Sequence, residues 1–361
     1  MNESKIYTRI IGSGKYIPHR RITNEHFLNK EFYNSEGSRI EKPNEEIIAT
    51  LRKITGIEER RYIEDEFLTS DMAYFAAQSA IDAARVDPET LDYIIVAHNF
   101  GDLQNGNPRS DMVPTLASRV KQRLGILNPY TVAYDLPFGC PGWIQGMIQA
   151  DYFIKSGDVK RVLVIGAETL SRIFDPHDID SMIFSDGAGA VVLEGKSAEK
   201  PEGILAHVTR SDTAEQAYLL NMGSSYYAEY KYNALFLKMK GRKLYEYAIS
   251  MVPKTLKEGI EKAGLHLSDI DKVLIHQANA KMDFKILQRL FELYGETEIP
   301  ENMMPMSIAK LGNNSVATIP ILYDLISKGE MEGQQFNPGD YILFGSVGAG
   351  VNINALVYRV P

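Results

Sequence analysis

Apolar positions along this chain follow two periods in alternation. Helical spacing marks residues 70–85, where Ala73, Ala76, Ala77, Ala80, Ile81 and Ala84 share one face. It also marks residues 141–154, through Ile144, Met147, Ile148, Ala150 and Ile154. Uninterrupted apolar runs at 93–97, 161–166 and 273–276 predict strands buried on both faces. Further helices are expected over 45–55, closed by Gly56, and over 114–124, 243–263, 280–294 and 316–328. Strands are expected over 6–14, 191–193, 204–209, 341–345 and 351–358, and one more runs into Cys140. Residues 34–44 and 99–111 read as loops, the second long enough to be functional, and the tyrosine-rich 217–237 as irregular. Such alternation predicts an α/β fold whose mostly parallel sheet is covered on both faces.

The pattern runs twice. Leu91-Asp92-Tyr93-Ile94-Ile95-Val96 is echoed by Ile270-Asp271-Lys272-Val273-Leu274-Ile275, and Gly187-Ala188-Gly189-Ala190-Val191-Val192 by Gly348-Ala349-Gly350-Val351-Asn352-Ile353. An internal duplication follows, with halves over residues 1–200 and 201–361. The glycine clusters fail the conditions of a phosphate cradle: Gly12-Ser13-Gly14 has no helix behind it and reads as a turn, and Gly187-Ala188-Gly189-Ala190 leads into a strand. Asp175-Pro176-His177-Asp178-Ile179-Asp180 lacks the glycine and closing glutamate of a calcium loop, so no metal site is expected.

The chemistry centres on the single cysteine. Cys140 falls between a strand and a helix that opens with Pro141, a position where exposed N–H groups and the macrodipole would lower a thiol pKa. His276 and Asn313 stand at two further strand-to-helix turns, in His276-Gln277-Ala278-Asn279 and Gly312-Asn313-Asn314-Ser315. Each has an ordinary role available, as a small buried hydrophobe, a core histidine and an N-cap respectively. Their joint placement at the sheet edge where α/β proteins carry out chemistry favours a catalytic set. In the two halves Cys140 and Asn313 occupy equivalent turns, which a pseudo-twofold would bring to one cleft. No G-x-S-x-G elbow occurs, which disfavours a serine hydrolase.

Together with Ser185-Asp186-Gly187-Ala188-Gly189-Ala190 and the closing Gly348-Ala349-Gly350, these turns resemble β-ketoacyl-acyl-carrier-protein synthase III, within the thiolase superfamily, from about Ile6 onward. The resemblance implies a thiolase-like fold of two βαβαβαββ halves in a five-layered αβαβα core, assembled as a homodimer. It implies that Cys140 takes an acyl group from a thioester while His276 and Asn313 donate hydrogen bonds to the thioester oxygen of a second substrate. The acyl oxyanion would then meet the backbone N–H groups of Cys140 and Ala349. No cofactor is implied beyond the phosphopantetheine that the substrates carry. Thiolases proper need a second cysteine, which this chain lacks.

The departures from the family bear on the partner. Members primed by coenzyme A place a tryptophan and two arginines at positions that here read Thr50, Ile54 and Ile179. Their absence favours an acyl carrier protein on both half-reactions, with Lys281, Lys285 and Arg289 as one basic stripe for docking; a plain solvated face is the ordinary role of such a stripe. Val113, before the proline at 114, replaces a bulky residue that closes the acyl pocket across the dimer in some members, which leaves room for a medium or long chain. A fatty-acid ketosynthase or a specialised one, such as a dialkylresorcinol-forming enzyme, is therefore expected. Two alternatives stay open, an acyltransferase to an alcohol or amine and a non-catalytic partner subunit, though such subunits usually lose the cysteine.

Composition sets limits on this picture. With 361 residues, 44% hydrophobic and 24% charged, the chain can bury a large core. A net charge of −8 argues against nucleic acid as a general partner, since that affinity comes from neutralising phosphates. No apolar run approaches a membrane span, the first residues lack a secretory apolar region, and one cysteine suits a reducing compartment, so a cytoplasmic location is expected.

Overall fold

The computed structural model describes residues 5–231 and 234–361. In the first half the elements are β1 (Lys5–Tyr16), β2 (Arg20–Thr23), α1 (Asn44–Thr55), β3 (Glu59–Tyr62), α2 (Thr69–Ala84), β4 (Tyr93–Ala97), β5 (Asp102–Gln104), β6 (Asn107–Asp111), α3 (Leu116–Arg123), β7 (Val132–Leu136), α4 (Gly142–Ser156), β8 (Arg161–Thr169) and β9 (Asp186–Ala198). The second half has β10 (Gly203–Ser211), β11 (Leu220–Gly223), β12 (Phe236–Met239), α5 (Gly241–Lys262), β13 (Lys272–Ile275), α6 (Ala280–Glu292), α7 (Ile308–Leu311), α8 (Thr318–Ser327), β14 (Tyr341–Gly348) and β15 (Asn352–Arg359).

Two sheets carry the fold, ordered β1-β9-β8-β4-β7 and β10-β15-β14-β13. The position of β7 is taken in the second sheet by an irregular segment, to which Val273 donates its N–H at Met303 O, 2.8 Å. Helices α4 and α8 lie between the sheets: Trp143, Met147 and Ile154 of α4 and Ile319, Leu322 and Ile326 of α8 share a core with Val164 and Val191 on one side and Leu274, Phe344 and Leu356 on the other. Outside the first sheet lie α2 and α3, outside the second α5 and α6. The fold is thus thiolase-like, in five αβαβα layers.

The expectation of mostly parallel sheets is corrected. Only β7, β4 and β8, and the pair β13 and β14, run parallel; β9 and β1, and β15 and β10, are antiparallel to their neighbours. The reason is connection length: three residues join β14 to β15, and a turn that short returns the chain only antiparallel. Residues 99–111 are not one loop but contain the β5–β6 hairpin, and the irregular 217–237 stretch contains β11 and opens β12, which pair with each other. Helix α3 starts two residues later than its pattern predicted, because Thr115 is the cap and its hydroxyl accepts from Ser118 N. Among the described residues no helix is long and apolar enough to cross a membrane.

Gly12 and Gly14 are not a turn either. They lie inside β1 under α2, where a Cβ on Gly14 would stand 2.3 Å from Ala76 O and 2.4 Å from Ala80 N. These neighbours are backbone and cannot rotate away. Gly14→Ala should therefore destabilise the protein by about 1–3 kcal/mol or more, read as a lowered Tm; an unchanged Tm would remove the close-packing explanation for these glycines.

Candidate active site

Three chain turns converge between the sheets. After β7 the chain bends at Gly139, whose φ is +69°, so that Cys140 stands just before Pro141, the N-cap of α4. His276 follows β13, with its N–H held by Gly345 O at 2.9 Å. Asn313 follows α7 and is fastened to the first half: its N–H donates to Ile183 O at 3.0 Å and its carbonyl accepts from Ser185 N at 2.9 Å. The structure thus brings Cys140, His276 and Asn313 to one cavity, walled by apolar side chains including Phe100, Leu170, Phe184, Leu237, Met239, Leu244 and Val347.

Glycines set the closeness of the backbones here. A Cβ on Gly348 would meet Cys140 N at 2.5 Å and Cys140 Cβ at 3.0 Å, and one on Gly139 would meet Ala349 N at 2.8 Å. Ala349 itself lines the cavity beside the sulfur. Asn313 Oδ1 accepts from Ser315 N at 2.8 Å, which leaves the amide Nδ2 as its end available for donation. His276 is 6% exposed and its Nδ1 has no hydrogen-bond partner in the protein.

Burial dominates the electrostatics. It pushes the Cys140 thiol up to about 11; the Ser315 hydroxyl opposes this and Glu168 adds to it. The lowered thiol expected at a helix N-terminus is therefore not found. A helix end stabilises a charge by at most ~2 kcal/mol, about 1.5 pKa units, and loss of solvent around a half-buried sulfur lining an apolar cavity outweighs that here. Burial likewise pushes the His276 imidazole down to about 4, with the Ser315 backbone pulling the other way. The resting pair at neutral pH is a thiol and a neutral imidazole.

Four participants were not singled out in the sequence. Ser315 Oγ donates to Cys140 Sγ at 3.2 Å and accepts from Asn99 Nδ2 at 3.2 Å. Asn99 donates to Glu168 Oε2 through both its backbone N, at 3.1 Å, and its side-chain amide. His98 Nδ1 accepts from Gly101 N at 3.0 Å, so its other nitrogen carries the hydrogen facing Asp135 Oδ2 at 2.9 Å. The available signal was positional: β4 and β8 are parallel neighbours, so Asn99, two residues past β4, and Glu168, near the end of β8, share the edge on which Cys140 lies. Among the described residues no group of three His, Cys, Asp or Glu is placed to hold a metal.

The remaining candidates lie away from the cavity. Val113 is 87% exposed next to the β5–β6 hairpin and does not line its own chain's cavity. Lys281 and Arg289 are exposed on α6 and Lys285 half-buried; Glu292 faces Lys285 at 3.8 Å and Arg289 at 3.6 Å, while Lys281 makes no ion pair among the described residues. Thr50 turns its hydroxyl back to Glu46 O at 2.7 Å, and Ile54 is 40% exposed. Ile179 packs against a small core of Phe27, Phe32, Ile47 and Met182.

Known proteins share this arrangement. A family model described as 3-oxoacyl-[acyl-carrier-protein] synthase III matches residues 134–213, and its C-terminal companion matches 260–360. The solved 3-oxoacyl-[acyl-carrier-protein] synthase III of Aquifex aeolicus VF5 is 32% identical over 98% of this chain and 99% of its own, with a TM-score of 0.78. The corresponding enzyme of Thermus thermophilus is 31% identical over 98% and 99%, with a TM-score of 0.77. The priming β-ketosynthase of the R1128 polyketide pathway is 25% identical over 100% and 98%, with a TM-score of 0.79.

The raised thiol gives a pH signature. Below its pKa a thiol gains thiolate tenfold per pH unit, and only the thiolate is alkylated. Alkylation of Cys140 by iodoacetamide, followed by intact mass, should thus still climb steeply between pH 8 and 10, as a thiol at about 11 requires. A plateau reached below pH 8 would show that the helix N-terminus outweighs burial.

Proposed function

The chain belongs to the 3-oxoacyl-[acyl-carrier-protein] synthase III family and is a ketosynthase of the acyltransferase class, and on that premise we propose how its residues carry out the Claisen-type condensation and on which substrates. Cys140 takes an acyl group from a thioester. The neutral His276 imidazole and the free Nδ2 of Asn313 donate to the thioester oxygen of the second substrate, which becomes enolate-like as carboxylate or a proton leaves. The backbone N–H groups of Cys140 and Ala349 hold the acyl oxyanion; the glycine contacts at 139 and 348 support this by keeping both backbones at the sulfur. Preorganised donors at developing charge are the largest catalytic contribution in such sites. The observation that carries this reading is the convergence of Cys140, His276 and Asn313 on one apolar-walled cavity.

The acyl group is apolar and of medium or long chain, a reading supported by Leu170, Leu237, Met239 and Leu244 lining the cavity. Both half-reactions use an acyl carrier protein whose phosphopantetheine arm enters beside α6. Thr50, the half-exposed Ile54 and the packed Ile179 supply neither a ring to stack on a nucleotide nor a cation for its phosphates. A second copy of the chain pairs on the edge strand β7; the exposed Met112, Val113, Tyr130 and Val132 support that face, on which Val113 would reach the partner's cavity.

The test is a pair of assays. Cys140→Ala should abolish acylation seen by intact mass, while His276→Ala and Asn313→Ala should still load but condense ~10²–10³-fold more slowly; acylation surviving in Cys140→Ala would sink the assignment. Acyl-carrier protein should load faster than the matching acyl-coenzyme A. Reversing Lys281 and Arg289 to glutamate should raise KM for carrier-bound substrate alone, Lys281 more strongly because Glu292 already offsets Arg289, with an effect that fades at high salt. Equal losses with small pantetheine substrates would return the stripe to a solvated face.

A further inference from the structure

We infer that Ser315 is a fourth catalytic residue, whose hydroxyl holds and stabilises the Cys140 sulfur, and that Asn99 and Glu168 are positioning residues that aim it. This role rests on Cys140 being the acyl-accepting thiol.

Ser315 bonds two members of the set and lines the same cavity as the third, His276. Its hydroxyl donates to Cys140 Sγ at 3.2 Å and its N–H donates to Asn313 Oδ1 at 2.8 Å. It does so in a conformation that serine rarely adopts, with φ at +50°. A buried non-glycine residue held there persists only where its surroundings over-determine it, and such residues cluster at functional sites.

The hydroxyl has one hydrogen, and the structure directs it. Asn99 Nδ2 occupies an acceptor position on Ser315 Oγ, which leaves the hydrogen for the sulfur. The orientation of the Asn99 amide is set in turn by Glu168, whose Oε2 accepts from both nitrogens of Asn99. Glu168 is fully buried, with Oε1 unpartnered, and its carboxyl is pushed up to about 7 by that burial. The carboxylate therefore opposes the thiolate across the same chain of hydrogen bonds that delivers a donor to it. The other ionisable groups facing this cluster are His276 beyond β13, His98 beyond β4 and Asp186 on β9.

The consequence falls on the sulfur in both half-reactions. On loading, the Cys140 sulfur bonds to the acyl carbon, the donor's carbon–sulfur bond breaks, and the departing thiol takes up the proton that Cys140 gave up. On condensation the new carbon–carbon bond forms as Cys140 leaves again as thiolate. A donor fixed on the sulfur lowers the cost of both.

The experiment is the pH dependence of Cys140 alkylation by iodoacetamide, read by intact mass, in the full-length enzyme and in Ser315→Gly, Ser315→Ala and Glu168→Gln. Both Ser315 variants should slow alkylation at pH 8 about tenfold or more, the effect of losing a hydrogen bond to a charged group, and move the curve to higher pH. Glycine accepts a positive φ without strain, so a drop shared by glycine and alanine locates the effect in the hydroxyl. Glu168→Gln keeps an acceptor for Asn99 and removes the charge, so above pH 7 it should alkylate faster than wild type. A wild-type profile in Ser315→Gly, or slower alkylation in Glu168→Gln, overturns this role. Acylation persisting in Cys140→Ala would instead overturn the functional reading on which it rests.

Discussion

Everything at the centre of this protein depends on backbone meeting backbone where the two halves cross. Helix α8 and the turn leading into it can lie this close to the first sheet only because the strands beneath them carry glycine. A Cβ on Gly166 of β8 would stand 2.5 Å from Val316 O, and one on Gly189 of β9 would stand 2.7 Å from Ile321 N. The same device recurs at Gly348, against Cys140 N. Glycine inside a strand weakens it locally. Here that cost is accepted at the points where the segment carrying Asn313 and Ser315 must reach the turn carrying Cys140.

This closeness also fixes the character of the chemistry. A site assembled from turns pressed together between two sheets is dry, so neither thiolate nor imidazolium is favoured at rest. A neutral imidazole remains a good donor to a developing enolate. Directed hydrogen bonds then matter more than net charge. The Asn313 amide is oriented by Ser315 N–H, and the sulfur by the Ser315 hydroxyl, within one turn of chain.

The cavity belongs to neither half alone. Its floor comes from the Cys140 and Gly348 turns, and its walls come from Phe100 and Leu170 of the first half and from β12, α5 and α6 of the second. The β11–β12 hairpin places Leu237 and Met239 on the cavity side. Lys238 between them faces the other way, held by Asp175 at 2.6 Å and Asp178 at 3.2 Å. Strand alternation thus separates an apolar cavity wall from a buried ion-pair cluster within three consecutive residues.

By itself the sequence determined the local elements and pointed to three residues that the fold brings to one cavity. The period of apolar residues marks α2, α4, β4 and β13, the doubled pattern marks the two halves, and cysteine, histidine and asparagine at three turns mark the set, because side-chain period and turn chemistry are local properties of the chain. Strand direction was not local: β15 runs antiparallel because of the short connection before it, β9 lies antiparallel to β8 after a much longer one, and the β5–β6 and β11–β12 hairpins lie in polar stretches without a strong period. Nor was the state of the thiol. A helix N-terminus can be read from Pro141, but the burial that outweighs it comes from the packing of the turns around Cys140, and the hydroxyl that opposes that burial belongs to Ser315, 175 residues away. The same holds for Asn99 and Glu168, ordinary polar residues in sequence, whose role exists only because parallel pairing of β4 with β8 sets them side by side at the edge where the sulfur lies.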